Sequence, residues 1–253
     1  MFKVVIPARH GSTRLPGKPL LQIAGKPMIQ WVHESAVASG AEQVIIATDD
    51  TRIAQACMAF GATALLTDAA HQSGTDRIAE VARRSGWSER EIVVNVQGDE
   101  PLMPQLLIRQ VAELVVTSPL AGVATLATPI RSLTDYLDPN VVKVAVAQNG
   151  HALYFSRAPV PWYREGAPSG ATSQARFEGS LRHLGIYAYR VSALQRLAAL
   201  PPSPLELAEK LEQLRALENG IAIAVGVTQQ TPGPGVDTAE DLARVAAMVE
   251  SSR

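Results

Sequence analysis

The sequence predicts an α/β fold, a doubly wound and mostly parallel sheet with an inserted smaller β-rich lobe, and three observations lead to it. Short apolar runs alternate with helical patterns through the first half of the chain, glycines stand where those helical patterns stop, and the texture changes to shorter β-like pieces after Ser118. The runs are Val4–Ile6, Val44–Ala47, Ala64–Leu66 and Ile92–Val96, each short enough for a strand and apolar on both faces, as strands of a covered parallel sheet must be. Pro27 opens a helix whose Met28, Val32 and Ala36 recur every four positions until Gly40. Thr51 to Phe60 behaves in the same way and ends at Gly61, and Thr75 to Ser85 carries Ile78, Ala79 and Ala82 on one stripe before Gly86.

Beyond Ser118, the pieces Val123–Ala127, Val142–Ala147 and Ala152–Phe155 precede a loop from Pro159 to Gly179 rich in Gly, Pro and Ser. We read one domain over residues 1–253, with an inserted lobe at about residues 119–183. A helix from about Leu205 to Leu217, a strand at Ile221–Val227 and a last helix from Thr238 complete the expectation.

Composition narrows the function classes. The 253 residues carry 23 Lys+Arg against 24 Asp+Glu, a formal net charge of -1, with 47% hydrophobic residues. That balance lacks the basic footprint of a general nucleic-acid binder, and the apolar content exceeds what a disordered chain shows, so no nucleic-acid partner is expected. The one long uncharged stretch, Leu114 to Ile130, is broken by Pro119, Gly122 and Pro129, so no membrane association is expected either. The N-terminal apolar run is too short for a signal peptide and Cys57 is the single cysteine, which together suit a cytoplasmic, reducing location.

The chemistry gathers in four segments. The first strand runs into "PARHGSTRLPGKP", where Arg9, Arg14 and Lys18 accompany Gly11, Ser12 and Gly17. Three cations on a glycine-containing turn suit a polyphosphate: backbone N–H groups approach its oxygens, Arg forks bind two at once, and Lys adds a compact charge. The loop matches neither the dinucleotide fingerprint nor the P-loop, and it can equally be a solvated basic loop. The fourth strand ends in "VNVQGDEP", which places Gln97 and Asp99 at the same carboxyl edge of the sheet. Mg²⁺ needs only one or two carboxylates plus waters and phosphates, so Asp99 is chemically sufficient, although "GDEP" alone also describes a turn. Asp237 in "PGPGVDTAEDL" offers a second carboxylate, or an N-cap with Glu240 at the third helical position. Between them "HQSGTDR" opens a helix with hydroxyls and an amide that can face a base or simply cap the helix near Thr75.

The segments "IPARHGSTRLPGKPL", "HQSGTDRIAEV", "VNVQGDEP", "ALYFSRAPVPW", "LRHLGIYAYR", "SPLELAEKLEQLR" and "PGPGVDTAEDL" follow in the order and approximate spacing of the 3-deoxy-manno-octulosonate cytidylyltransferases, the CMP-Kdo synthetases, which the chain resembles over almost its whole length. The resemblance implies a sugar nucleotidyltransferase fold and a Mg²⁺-dependent nucleotidyltransferase that moves CMP from CTP to the anomeric hydroxyl of 3-deoxy-D-manno-octulosonate (Kdo), the activation step for lipopolysaccharide inner-core synthesis. It implies that Arg9, Ser12, Arg14, Lys18, Gln72, Ser73 and Asp76 bind CTP, with Arg14, Lys18 and Asp99 catalytic and Asp99 and Asp237 on the metal. It places Gln97, Arg157, His183, Tyr187, Glu212 and Gln213 at the sugar, and it implies a homodimer formed through the inserted lobe. Each sugar-side residue also has an ordinary structural reading. Arg157 can end a strand at the surface, His183 and Tyr187 can be half-buried sheet residues, and Glu212 and Gln213 can lie on the solvated face of a helix whose Leu207, Leu211 and Leu214 point inward. Alternative functions are a cytidylyltransferase for another acidic sugar, such as sialic acid or amino-Kdo, and a non-catalytic CTP sensor. Two departures from the family pattern stand out: His10 and Gly11 replace an aromatic residue and Ala, and the Pro159–Gly179 loop diverges.

Overall fold

The computed structural model describes residues 1–11, 15–167, 169–170 and 173–251. In chain order the elements are β1 (Lys3–Ala8), β2 (Gln22–Ile23), β3 (Lys26–Pro27), α1 (Met28–Ala38), β4 (Gln43–Thr48), α2 (Thr51–Ala59), β5 (Thr63–Leu66), α3 (Gly74–Arg84), β6 (Ile92–Asn95) and α4 (Gln105–Thr117). The second half adds β7 (Val123–Pro129), α5 (Leu133–Leu137), β8 (Lys143–Val146), β9 (Ala152–Ser156), β10 (Leu181–Arg190), α6 (Val191–Ala198), α7 (Pro204–Glu209), α8 (Gln213–Glu218), β11 (Ile223–Val227) and α9 (Ala239–Ser251). The expected alternation of strands and helices in the first half is present at the expected places.

The main path of the sheet runs β11-β7-β10-β6-β1-β4-β5. β1 pairs in parallel with β4 on one side and β6 on the other, β4 pairs in parallel with β5, and β7 with β11. β10 alone on that path runs the other way, antiparallel to both β6 and β7, and β8 and β9 extend from it as an antiparallel annex. Because the chain leaves β1 toward β4 and returns to place β6 on the opposite side of β1, the carboxyl ends of β1 and β6 flank the point where strand order reverses. Open α/β sheets bind ligands at such a switch point.

Strand alternation sends successive side chains to opposite layers. Val4, Ile6, Val94 and Val96 pack with Ile29, Val32, Leu107, Ile108 and Val111, so α1 and α4 cover that face. Val5, Ile45 and Val93 point the other way, onto Ile78, Val81, Leu194 and Leu214 of α3, α6 and α8. A third, smaller cluster of Ile23, Met28, Val236, Val245 and Val249 docks α9 onto the β2–β3 hairpin and α1. Docking α9 there brings the residues just before it back to the carboxyl edge of the sheet.

Two expectations are corrected. The single helix from about Leu205 to Leu217 is two helices, broken where Lys210 adopts a left-handed φ of 55°. The break turns Leu207 to solvent, 53% exposed, while Leu211 and Leu214 stay buried, and it moves Glu212 from a solvated helical face to the residue before α8. The corner is held by Arg215, whose Nε and Nη2 donate to both carboxylate oxygens of Glu206 at 2.8 and 2.5 Å. The second correction is the cap of α9. Thr238, not Asp237, caps it: Asp241 N–H donates to Thr238 Oγ1 at 3.2 Å and Thr238 N–H to Asp241 Oδ2 at 3.0 Å, so the reciprocal partner is Asp241 rather than Glu240.

Candidate active site

An open cleft of about 530 Å³ lies over the carboxyl ends of β1 and β6. Its floor owes its shape to Gly98, where a Cβ atom would stand 2.8 Å from the carbonyl oxygen of Pro7. The β6 loop can therefore cross directly over the end of β1, which brings the acidic "QGDE" segment against the basic loop. Gly17, at φ 68°, turns that loop back so that Lys18 follows at the start of a short 3₁₀ turn.

Lys18 is the centre of the charge arrangement. Its ammonium donates to Asp99 Oδ2 at 2.6 Å and to Asp237 Oδ1 at 3.2 Å, joining carboxylates 138 positions apart. Because Thr238 takes the capping role, the Asp237 carboxylate reaches the cleft. Arg9 and Gln72 line the cleft as exposed side chains, and Ser73 enters it at the N-terminus of α3, where backbone N–H groups favour an anion. Asp76 is not on the cleft wall; it completes a capping box with Ser73, each backbone N–H donating to the other side chain at 3.2 Å. The cap expected near Thr75 is thus made by Ser73. Ser12 and Arg14 lie outside the described residues.

Four more residues, Arg77, His71, Glu80 and Glu100, lie in or beside this end of the cleft. Arg77, 3% exposed, lines the cleft while donating to Asp49 Oδ2 at 2.9 Å and to Thr67. His71 Nε2 lies 2.6 Å from Glu80 Oε2, and Glu80 also accepts from Asp68 N–H and Arg84, which together outweigh the desolvation opposing them and hold its carboxyl down at about 2. Beside Asp99, burial first and the Asp99 charge second push the Glu100 carboxyl up to about 7.

A second, smaller cavity of about 180 Å³ adjoins the cleft and shares Gln97 and Glu212 with it. Of the six expected sugar residues, Gln97, Tyr187, Glu212 and Gln213 line it. His183 does not. It stands behind Tyr187 at a ring separation of 5.3 Å, edge-on to Phe155 at 4.9 Å, with Nε2 2.9 Å from Thr125 Oγ1. Burial lowers its pKa to about 3, so the imidazole is neutral. Arg157 reaches neither cavity wall: Nε donates to the Glu209 carbonyl at 2.7 Å and Nη1 to the Pro139 carbonyl at 3.0 Å, so it ties the end of β9 to the end of α7. Burial raises the Glu212 carboxyl above the ordinary range, with Arg215 3.7 Å away and already committed to Glu206.

The sequence reading passed over Asn95, Thr75 and Tyr189, which also line the second cavity. Their signal was faint. Asn95 sits within a β-branched run in step with Gln97, two residues on, and opposite Tyr187 in the β6–β10 register.

A doubly wound sheet whose switch point opposes a basic loop to strand-end carboxylates defines a phosphate-handling transferase site. The cytidylyltransferase family model matches residues 3–223. A 3-deoxy-manno-octulosonate cytidylyltransferase of Thioalkalivibrio sulfidiphilus is 56% identical over 96% of this chain and 97% of its own, and one of Halorhodospira halophila is 54% identical over 100% and 98%. A solved structure of a CMP:2-keto-3-deoxy-manno-octonic acid synthetase complexed with CTP superposes with a TM-score of 0.89 at 44% identity, covering all of both chains. The chain belongs to the cytidylyltransferase family and, within it, to the 3-deoxy-manno-octulosonate cytidylyltransferases.

Proposed function

We propose that this protein transfers CMP from CTP to the anomeric hydroxyl of Kdo, giving CMP-Kdo and pyrophosphate. The observation that carries the reading is the convergence of Asp99 and Asp237 on Lys18 beside a polar cleft, in a chain that aligns end to end with the enzymes of that name. The anomeric oxygen attacks the α-phosphorus of CTP; the bond from that phosphorus to the β-phosphate bridge oxygen breaks, pyrophosphate leaves, and the attacking hydroxyl releases its proton to the solvent that the open cleft admits. Arg9 and the N-terminus of α3 orient the triphosphate, and Lys18 offsets charge developing on the leaving pyrophosphate. Gln72 and Ser73 border the nucleoside end. Gln97, standing between the two cavities, orients the sugar toward the phosphate.

Mg²⁺ belongs to the same proposal. The donor set fits it: two hard carboxylate oxygens already meet on one cationic centre, the Lys18 ammonium, and the open cleft leaves room for phosphate oxygens and waters. Asp99 and Asp237 would hold the ion, which when bound supplies neutralisation of phosphate charge. Homodimer formation is supported by exposed apolar side chains of the lobe, Leu137, Leu153 and Trp162. A cytoplasmic location and a role in lipopolysaccharide inner-core synthesis follow from the family; among the described residues no helix is long and apolar enough to cross a membrane.

The test is a panel of nucleotides and acidic sugars with Mg²⁺, read by pyrophosphate release. Release with CTP and Kdo is expected. Release with sialic acid or amino-Kdo in preference to Kdo, or CTP binding with no release on any sugar, would overturn the assignment.

A further inference from the structure

The second cavity has a polarity that says which end of a sugar enters it. Two residues of its wall carry buried acceptors that make no hydrogen bond among the described residues, Asn95 Oδ1 and Glu212 Oε1, the latter 3.7 Å from Arg215 Nη2. Asn95 is only 3% exposed, and its neighbours on the wall, Val123, Leu197, Ala216 and Ile223, are apolar. A buried acceptor left unpaired is costly, so such a wall favours a ligand that donates. Among the described residues no Lys or Arg lines this cavity, whereas Arg9, Lys18 and Arg77 line the cleft beside it. A carboxylate placed in the second cavity would meet the hydroxyls of Thr75, Tyr187 and Tyr189 and the amides of Gln97 and Gln213 but no cation on the wall, with the Glu212 side chain opposing it.

The chemistry of the substrate leads to the same orientation. In a 2-keto acid sugar the reacting hydroxyl and the carboxylate share the anomeric carbon, so both must face the cleft where the triphosphate lies. The far end carries only hydroxyls and C–H groups, which suit the acceptors and the apolar floor.

We propose that Asn95 is a specificity-determining residue: its side-chain oxygen accepts a hydrogen bond from a hydroxyl at the far end of the sugar, which enters the second cavity hydroxyl end first with its carboxylate left toward the cleft. The inference rests on the acidic-sugar reading above. Asn95 earns this place by strand register, lying opposite Tyr187 and in step with Gln97, so the three residues share one wall.

The test compares wild-type protein with Asn95→Ala on Kdo and on analogues lacking the 4-, 5-, 7- or 8-hydroxyl, one at a time. On Kdo, Asn95→Ala is expected to lower kcat/KM about tenfold with KM for CTP unchanged, in line with the loss of one buried hydrogen bond. On one of the deoxy analogues the variant and wild type should be equally active, because the hydroxyl that Asn95 accepts from is already gone. An equal loss on every analogue would overturn the proposal and leave Asn95 a packing residue. Should Asn95→Ala fail to fold, shown by lost CTP binding, Asn95→Ser replaces it in the same comparison. A wild-type protein that binds CTP yet is inert toward Kdo would instead overturn the functional reading, a result that needs no variant to recognise.

Discussion

The two cavities make opposite uses of charge. In the cleft, opposite charges are exposed or half-buried and meet each other directly, Lys18 against Asp99 and Asp237. In and behind the second cavity, polar groups are withdrawn from water: His183, packed behind Tyr187, is held neutral, the Glu212 carboxyl is pushed up, and two acceptors make no hydrogen bond among the described residues. Exposed charge in water is weak for holding a fold and well placed for meeting a polyanion that brings its own charge. Desolvated polar groups discriminate: a ligand that satisfies them gains, and one that does not suffers the full cost of leaving them unmade. The cleft is therefore built for rate and the cavity for choice.

The largest test of that division is in the cleft. Lys18→Ala or Asp99→Asn should lower kcat by about 100- to 1,000-fold, as losing one group that stabilises developing charge does elsewhere, measured by pyrophosphate release. Near-wild-type turnover by either would remove the cleft from the chemistry. Next, Gln213→Ala should raise KM for the sugar by about tenfold while KM for CTP stays put, since Gln213 lines the second cavity and not the cleft; a matching rise for both substrates would erase the distinction between the two cavities.

A smaller effect separates neighbours. Thr238→Ala removes the cap of α9 and should cost about 1 kcal/mol in urea unfolding with kcat retained, whereas Asp237→Asn should lower kcat at little cost in stability. The reverse pattern would show that Asp237, not Thr238, serves the helix. The smallest is a pH slope. His183 is neutral in the folded protein, with a pKa of about 3, below the ordinary 6.5. A depressed folded pKa means that stability is full above pH 6.5 and is lost as pH falls toward 3, because the unfolded chain takes up the proton first. His183→Gln should flatten the stability-against-pH curve in that window by up to one proton; an unchanged slope would mean the ring is solvated.

How much of this was legible depends on how local each signal is. The strand–helix alternation and the positions of β1 and β6 follow from apolar period and from the glycines at 40, 61 and 86, which all adopt positive φ and close their helices. The convergence of Lys18 and Asp99 was readable because one topological rule puts strand ends together. The break at Lys210 was not, since a left-handed lysine carries no glycine to announce it and is held by the Arg215–Glu206 pair across the corner. Asp237 and Thr238 are both good capping residues, and only the position of Asp241 against the helix start separates them. Arg157 was expected at the sugar, but two backbone carbonyls hold it outside the cavities. Asn95 was hidden because one polar residue in a β-branched run gains meaning only from its partner across the sheet.

The near contact between Gly98 and the Pro7 carbonyl sets a gauge for the whole site. The reach of side chains across the cleft is adjustable by rotation, but the separation of these two backbones is limited by a hydrogen atom where a methyl would stand. Even alanine at that position would wedge the strand ends apart and carry Asp99 away from Lys18, lengthening the distance across which the opposite charges act. The smallest side chain in the protein thus sets the distance at which Lys18 meets Asp99, and a change of one carbon there is a change in geometry before it is a change in chemistry.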